Sequence, residues 1–425
     1  MLQSFLATNH VPALSQWNHP EKWDLDTLSL VSFFYHPSLD LARAQWGTAK
    51  AAVRTAGGRP NPTIGLLPGY DFNAANGLSP WIPEMTFDLP IETAGKRGHR
   101  IHRAEQLSTA ARLNILSTAW QVRSVLRTSL LNFVAARLRE QALEAQLQSE
   151  QSILQLMEQR LQAGAVAPTE LFPARVAVLR TRSDLIDLSR QQAEARAGVA
   201  NALGVPLKAI ESVQLDFPLE LPANWSELSS TEIRRAALRG RADLLAGLAE
   251  YEASQAALQL EIAKQYPDVH LGSTYQWDQR DNKWMAGVTF ELSVLNRNQG
   301  PISEAEARRA EAAARFTALQ AKAIAEIDRA TASRDAVLNQ LKEAEQLVEA
   351  HRRQLSTLEA SLKEGAADRV EVETAALELR SSELVLLELK IKAQQAVGQL
   401  EDALQHPFRS LSTVENQPKR EKEPK

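Results

Sequence analysis

The sequence predicts a mainly α-helical fold with a small β share, built as two structural repeats. Two stretches of roughly 65 residues, from about 97 to 161 and from about 302 to 362, are rich in helix-forming residues and contain no proline. Each ends at a glycine that is followed by a further helical pattern of about 35 residues, and each is preceded by two alternating segments. Because this order occurs twice, about 200 residues apart, we predict two repeats, each a strand pair plus a very long helical hairpin.

The composition excludes several classes of protein. The 425 residues carry a net charge of -4 and include no cysteine, so disulfides and thiolate metal sites are excluded and nothing favours a nucleic-acid partner. No run of about 18 apolar residues occurs, so we expect no membrane-spanning helix. The first residues lack the pattern of a signal peptide, so we expect either a cytosolic protein or an export signal removed from this chain. We predict a disordered tail at residues 406–425, which are polar and rich in lysine, glutamate and proline.

The two long helices share a coiled-coil seam. In the second helix, positions that step alternately by 3 and 4 are Leu341, Ala344, Val348, His351, Leu355, Leu358 and Leu362. Subtracting 201 gives the corresponding positions of the first helix, which are Glu140, Leu143, Leu147, Glu150, Leu154, Met157 and Leu161. This spacing is typical of coiled-coil packing.

Both long helices end in the same kind of turn. The first reads LQAGAVAPTELF from residue 161 and the second LKEGAADRVEVE from residue 362. A glycine stop followed at once by another long helix predicts an antiparallel hairpin. We therefore predict hairpins at residues 97–203, with the tip near 164–168, and at 301–404, with the tip near 365–369.

Alternating segments precede each hairpin. Residues 266–278 and 284–293 each place apolar side chains on one face and small or polar ones on the other, which predicts two strands joined by a loop, QRDNK, at 279–283. Subtracting 203 from Trp284, Phe290 and Leu292 gives Trp81, Phe87 and Leu89, so we predict an equivalent pair at 61–71 and 81–90.

Such strands match those of a membrane β-barrel, with aromatic residues near the ends and few charges on the second face. Four strands cannot close a barrel, because their edges would stay unpaired in lipid, so several chains must contribute to one barrel. The alternative is an ordinary soluble sheet that packs its apolar face on helices.

The predicted organisation has five parts. Residues 1–37 form an N-terminal segment, 38–204 the first repeat, 205–240 an inter-repeat segment, 241–405 the second repeat, and 406–425 the tail.

The whole-chain order resembles that of the TolC-like outer-membrane efflux channels, from about residue 23 to 406. Within that family, HPSLDLARAQW, GRPNPTIGLLPGYD and LSVLNRNQGPISEAEA are most similar to the CzcC-type branch, which serves heavy-metal efflux. The resemblance implies a homotrimer with a twelve-stranded barrel in the outer membrane and an α-helical tunnel that extends into the periplasm. It also implies a periplasmic adaptor (a membrane fusion protein) and an inner-membrane RND pump as partners. Anchoring should rest on the barrel, because no lipidated N-terminal cysteine is present.

The resemblance and the strand pattern together nominate site residues. The hairpin tips should dock the adaptor through small or turn-forming residues, namely Gly164, Ala165, Val166, Pro168, Gly365, Ala366 and Ala367. The alternating positions that should face outer-membrane lipid are Trp81, Phe87, Leu89, Val269, Leu271, Tyr275, Trp277, Trp284, Val288, Phe290 and Leu292.

Carboxylates just past the tips are candidates for a pore constriction. Glu371 and Glu170 are the first choices and Asp368 and Glu373 the alternates, because acidic residues ring the closed pore in the family and would attract cations. The competing interpretation is that the two glutamates only stabilise the start of a helix. We find no catalytic set, metal site or cofactor motif.

The expected function is a passive exit duct, not an enzyme, in a tripartite RND-type efflux system, for divalent heavy-metal cations. Two alternatives stay open: a duct of the same fold for drugs or organic solvents, and a soluble coiled-coil scaffold.

Overall fold

The structure, a computed structural model, describes residues 23–222, Trp225 and residues 230–408. The predictions about the first residues and about the tail after residue 408 lie outside the described residues. Phe408, however, is 5% exposed, and its amide donates a hydrogen bond to Glu401 Oε1 over 3.0 Å. The prediction that a disordered tail begins at residue 406 is therefore wrong for its first three positions, because Phe408 is packed in a core.

Helices dominate the described chain, as predicted. The α-helices are α1 (Leu25–Tyr35), α2 (Pro37–Ala56), α3 (Lys96–Gln162), α4 (Leu171–Leu203), α5 (Ser230–Gly240), α6 (Ala242–Ala263), α7 (Gln299–Lys363) and α8 (Arg369–Leu404). Short 3-10 turns lie at Pro168–Glu170 and Leu207–Ile210. The two long helices, α3 and α7, contain 67 and 65 residues, and the second-repeat seam positions Leu341, Ala344 and Val348 are buried. Within the described ranges, no helix combines the length and the apolar character needed to cross a membrane.

Four strands form one antiparallel sheet in the order β1-β2-β3-β4. Their bounds are Thr63–Tyr70, Trp81–Ile91, Val269–Asp278 and Asp281–Phe290. β2 of the first repeat pairs with β3 of the second, so the two strand pairs join into a single surface. The outer edges of β1 and β4 pair with no other strand of the described chain.

The predicted loop at residues 279–283 is wrong. β4 begins at Asp281, which pairs with Asp278, so only Gln279 and Arg280 connect the two strands. Both have positive φ, 50° and 85°, as in the two-residue turns whose twist matches that of the flanking strands. The strand consequently ends at Phe290, three residues before the predicted end.

The chain divides into two compact units, and each contains parts of both repeats. The sheet unit comprises Leu41–Leu116 and Ala242–Ala321, and the hairpin unit comprises the described residues within 23–40, 117–241 and 322–408. α3 and α7 contribute residues to both units.

Ion pairs and hydrogen bonds connect each helix of the hairpin unit to its neighbour in space. Arg175 of α4 pairs with Glu158 of α3 over 3.1 Å. Arg139 of α3 forms two bonds to Glu388 of α8, of 2.5 and 2.7 Å. Arg352 of α7 lies 3.6 Å from Glu383 of α8. These contacts run from α4 to α3, to α8 and to α7.

A buried polar network joins α3 to α8. Arg127 is 6% exposed and donates to the carbonyl oxygen of Gln394 over 2.8 Å and to its Oε1 over 3.0 Å, while its Nε lies 3.4 Å from Glu401. Gly398 provides the space, because a Cβ at that position would collide with the guanidinium of Arg127. Asp402 accepts bonds from Trp120 Nε1 over 2.9 Å and from Ser124 Oγ over 2.7 Å.

Stability should depend on pH through Asp402. Burial raises the pKa of its carboxyl above the ordinary 3.8, and this outweighs the bonds from Ser124 and Trp120. A carboxyl with a raised pKa in the folded state favours folding at pH values below its unfolded pKa, and that contribution is lost as the pH rises through the folded pKa. Asp402→Asn should therefore raise the midpoint of thermal unfolding, relative to the unmutated protein, more at pH 7 than at pH 4. A difference that does not change with pH would contradict this assignment.

Candidate functional site

The sheet has one face without charged residues, which we call the apolar face. The strand register aligns the alternating positions of all four strands, so that Ile91, Val269 and Phe290 form one row across β2, β3 and β4. The face consists of Ile64, Leu66, Pro68, Tyr70, Trp81, Pro83, Met85, Phe87, Leu89, Ile91, Val269, Leu271, Ser273, Tyr275, Trp277, Asn282, Trp284, Ala286, Val288 and Phe290. Leu66 is 75% exposed and Trp284 is 70% exposed, so no helix of the described chain covers these side chains.

Aromatic pairs occupy the end of the apolar face near the β1–β2 and β3–β4 connections. Tyr70 and Trp81 are cross-strand partners with ring centroids 5.2 Å apart, and Tyr275 and Trp284 are partners at 4.8 Å. The two repeats thus place the same Tyr–Trp pair at the same end of the sheet. Rows of aromatic residues at the boundary of an apolar band are typical of outer-membrane strands.

The opposite face, which we call the polar face, carries mostly small, polar and charged side chains together with four larger apolar ones, Leu67, Ile82, Pro90 and Met285. Its members are Thr63, Gly65, Leu67, Gly69, Ile82, Glu84, Thr86, Asp88, Pro90, His270, Gly272, Thr274, Gln276, Asp278, Asp281, Lys283, Met285, Gly287 and Thr289. His270 Nδ1 lies 2.9 Å from Asp88 Oδ2, which links the two repeats across β2 and β3. One apolar and one polar face make the sheet suited to separate hydrocarbon from water.

Both hairpin tips adopt the same Schellman geometry. Gly164 has φ 71°, its amide donates to the carbonyl of Leu161, and the amide of Ala165 donates to that of Arg160 over 2.9 Å. In the second repeat, Gly365 has φ 75° and donates to Leu362, and the next residue donates to Ser361. Glycine is favoured at both positions because a side chain is strained at positive φ.

The tips display small residues at the surface. Gly164, Ala165, Pro168, Gly365 and Ala366 are exposed, while Val166 and Ala367 are half-buried. A Cβ added to either glycine would meet no atom within 4 Å, so the space in front of each turn is open in the single chain.

The carboxylates beyond the tips have local partners. Glu170 Oε1 accepts a bond from the amide of Ala167 over 2.9 Å, and Glu371 Oε2 accepts one from the amide of Asp368 over 3.2 Å. Both glutamates therefore reach back to the start of their own helices, as in a capping box. The Asp368 carboxylate also pairs with Arg160, which fastens the two tips of one chain to each other. Glu373 is half-buried on α8.

The family follows from a match that spans most of the chain. The outer membrane efflux protein family matches residues 35–205 and 233–405, one segment for each repeat. The chain belongs to the outer membrane efflux protein family. This outer membrane efflux protein is also 27% identical, over 222 residues, to the cobalt-zinc-cadmium resistance protein CzcC of Cupriavidus metallidurans. That match covers 51% of this chain and 51% of the relative, so it spans about half the length of each protein.

Solved structures share the fold of this outer membrane efflux protein. The outer membrane protein VceC of Vibrio cholerae gives a TM-score of 0.74 at 20% identity, covering 90% of this chain and 96% of that one. The structure of CusC, which was solved in a study of folding and transmembrane channel formation, gives a TM-score of 0.70 at 20% identity. That match covers 89% of this chain and 91% of CusC. The predicted resemblance to TolC-like channels and the predicted fold class are thereby confirmed.

The strand register shows where this outer membrane efflux protein places the residues that the sequence pattern predicted to face lipid. All of them lie on the apolar face except Leu292, which lies beyond the end of β4 because the strand begins and ends earlier than predicted. The pattern missed Ile64, Leu66, Tyr70 and Met85, although their alternation is visible in the sequence. Among the residues that the structure describes, no group of three or more His, Asp or Glu side chains could hold a metal ion.

Proposed function

We propose that this outer membrane efflux protein is the homotrimeric exit channel of a tripartite efflux system and that it exports divalent heavy-metal cations. The observation that carries the proposal is the open four-stranded sheet with one apolar and one polar face. Its strands alternate in direction, so β4 of one copy can pair antiparallel with β1 of the next. Three copies then supply twelve strands to a barrel without edges, with the apolar face toward outer-membrane lipid.

The dimensions of the apolar face support this placement. Ten residue steps separate Trp81 from Ile91 along β2, which is about 33 Å at roughly 3.3 Å per residue. With a tilt of about 40°, that length spans roughly 25 Å, the height of the apolar band of outer-membrane barrels.

The helices offer a second surface for neighbouring copies. Large apolar side chains spaced by 4, 3 and 7 residues are exposed on α4, namely Phe172, Val176, Leu179 and Ile186. This spacing is that of a coiled-coil seam with no partner in the described chain. Since the contacts of the hairpin unit run from α4 to α7, we assign the stripe to packing against α7 of the next copy. The helices of three copies would then line a tunnel into the periplasm.

The metal assignment rests on the relative CzcC, whose name records resistance to cobalt, zinc and cadmium. Deleting the gene should lower the concentrations of these ions that the cell tolerates, and the full chain should restore tolerance. Unchanged metal tolerance together with lost tolerance to dyes or organic solvents would assign the channel to drug efflux instead. A deletion without effect on either class, with the protein soluble, would favour a scaffold.

The tips are proposed to dock the periplasmic adaptor, which works with an inner-membrane RND pump. Ala366→Trp places a bulky side chain at an exposed position, so folding and trimer formation should be unchanged while metal tolerance falls to that of the deletion strain. Ala366→Ser, which keeps the small size, should behave as the unmutated protein. Full tolerance in the tryptophan variant would contradict docking at this tip.

The constriction proposal can be separated from the helix-capping interpretation. Glu371→Gln keeps an acceptor for the amide of Asp368 but removes the charge, whereas Glu371→Ala removes both. If three copies of Glu371 surround a narrow pore, both variants should lower the preference for cations in planar-bilayer recordings. If the residue only caps α8, glutamine should leave the selectivity unchanged and only alanine should lower thermal stability.

A further inference from the structure

The connection from β4 to α7 displays large apolar side chains to solvent. Leu292 and Val294 are each 69% exposed, and Leu295 is 100% exposed. We call residues 291–298 the apolar loop. Isolated exposed apolar residues are common. Three large apolar side chains within four consecutive positions, however, form a small apolar patch of the kind that marks a contact surface.

The equivalent connection of the first repeat has a different character. Between β2 and α3, Glu92 pairs with Arg100, and Thr93 donates its hydroxyl to the carbonyl of Pro267 over 2.6 Å. The amide of Thr93 and Lys96 Nζ both bond to Asp268, over 2.9 and 2.8 Å. That connection is therefore fastened through polar groups and presents no comparable patch, so the apolar loop belongs to the second repeat alone.

The apolar loop is held at its far end. Asn298 has φ 59°, and its side-chain nitrogen donates to the carbonyl of Glu261 over 2.7 Å and to its carboxylate over 3.1 Å. Gln265 Nε2 donates to the carbonyl of Arg297 over 3.1 Å. Burial raises the pKa of Glu261, but the bonds from Lys264 and Asn298 outweigh burial and hold that pKa below its usual range. The end of the loop that leads into α7 is thus anchored to the end of α6.

The loop continues the apolar face. Ile91, Val269 and Phe290 form the row of that face nearest to the long helices, and Leu292 follows Phe290 by two residues. The two ends of the loop are charged, because Glu291 and Arg297 are both exposed. An apolar patch between two charged side chains, one of them basic, at the edge of a surface proposed to face lipid, matches the chemistry of the boundary between acyl chains and zwitterionic headgroups.

We propose that the apolar loop inserts into the headgroup boundary of the phospholipid leaflet nearest the helices. Leu292, Val294 and Leu295 would contact the upper acyl chains and Arg297 the lipid phosphates. Because it uses the membrane position of the sheet, this inference rests on the proposed function. Three such loops per trimer would fix the depth of the channel at its periplasmic side. The Tyr–Trp pairs lie at the opposite end of the sheet.

The absence of cysteine allows a direct test by single labels. The full chain carrying Leu295→Cys is labelled with an environment-sensitive fluorophore and reconstituted as the assembled channel in vesicles of phosphatidylcholine and phosphatidylglycerol. Spin labels are placed in the lipids, either near the headgroup or deep in the acyl chains. Ala286→Cys, on the apolar face of β4, and Ser303→Cys, exposed on α7, are the matched controls.

We expect the label at 295 to be quenched most by headgroup-proximal spin labels, the label at 286 by deep ones, and the label at 303 by neither. Deep quenching at 286 with none at 295 would overturn the loop insertion and leave the channel proposal intact. A blue-shifted but unquenched label at 295 would show that a neighbouring copy covers the loop, which also overturns the insertion. Absence of quenching at 286 would overturn the channel proposal and the insertion with it.

Discussion

Phe87→Arg should remove nearly all trimer from the outer membrane. Phe87 lies near the middle of the apolar face, in the row that it forms with Ile64 and Ser273. An arginine at the midplane of an outer-membrane barrel costs about 2–4 kcal/mol, and the proposed trimer would carry three, so roughly three times that cost would fall on one assembly. The measurement is the amount of heat-resistant trimer in purified outer membranes.

Thr274→Arg is the matched control for this prediction. Thr274 lies on the polar face of β3, one row away from Phe87, and would point into a water-filled lumen. The control variant should therefore assemble at close to the normal level. Equal loss in both variants would mean that the two faces meet the same environment, which contradicts a lipid-facing apolar surface.

Arg127→Met should cause the largest loss of stability in the hairpin unit. Methionine fills similar volume, but it leaves Oε1 of Gln394 without its donor, and Glu401 keeps only Arg123, at 3.1 Å, as a charged partner. Leaving a buried acceptor without its donor costs about 1–3 kcal/mol, because the group is shielded from water and gains no new partner. The measurement is the midpoint of thermal or urea unfolding of the detergent-extracted protein.

Arg139→Met provides the comparison on the same pair of helices. Arg139 bonds to Glu388 of α8 with good geometry, but both side chains are about one third exposed. Solvent can therefore replace the lost partner, and exposed pairs contribute about 0–1 kcal/mol. Similar midpoints for the two variants would show that burial does not govern the Arg127 network.

The features with a strong local pattern could be predicted from the sequence. The long helices follow from more than 60 residues without proline, and the tips follow from Gly164 and Gly365, which end both helices in one geometry. The alternation of β2, β3 and β4 predicted which side chains share a face, because the side-chain period of a strand is two.

Other features depend on local geometry that the residue types do not specify. The β3–β4 turn uses Gln279 and Arg280 at positive φ, where asparagine and glycine are usual, so the pattern suggested a longer loop and a later strand. The error displaced the strand by three residues and assigned Leu292 to the sheet instead of to the apolar loop.

Contacts between distant segments could not be predicted from one sequence. Arg127 and Gln394 are 267 residues apart, and Arg160 and Asp368 are 208 apart. Nothing local distinguishes Arg127 from the exposed arginines of α3, because only the packing of α8 determines which one is buried. The need for Gly398 beneath its guanidinium is likewise visible only in the folded chain.

The central claim is that the open sheet becomes part of a closed wall only when several copies meet in the outer membrane. The most direct measurement starts from cells that express the full chain. Their membranes are fractionated, the protein is crosslinked, and the mass of the detergent-extracted complex is determined. The account predicts an outer-membrane protein with three times the mass of one chain. A monodisperse monomer that stays in solution without detergent would contradict it.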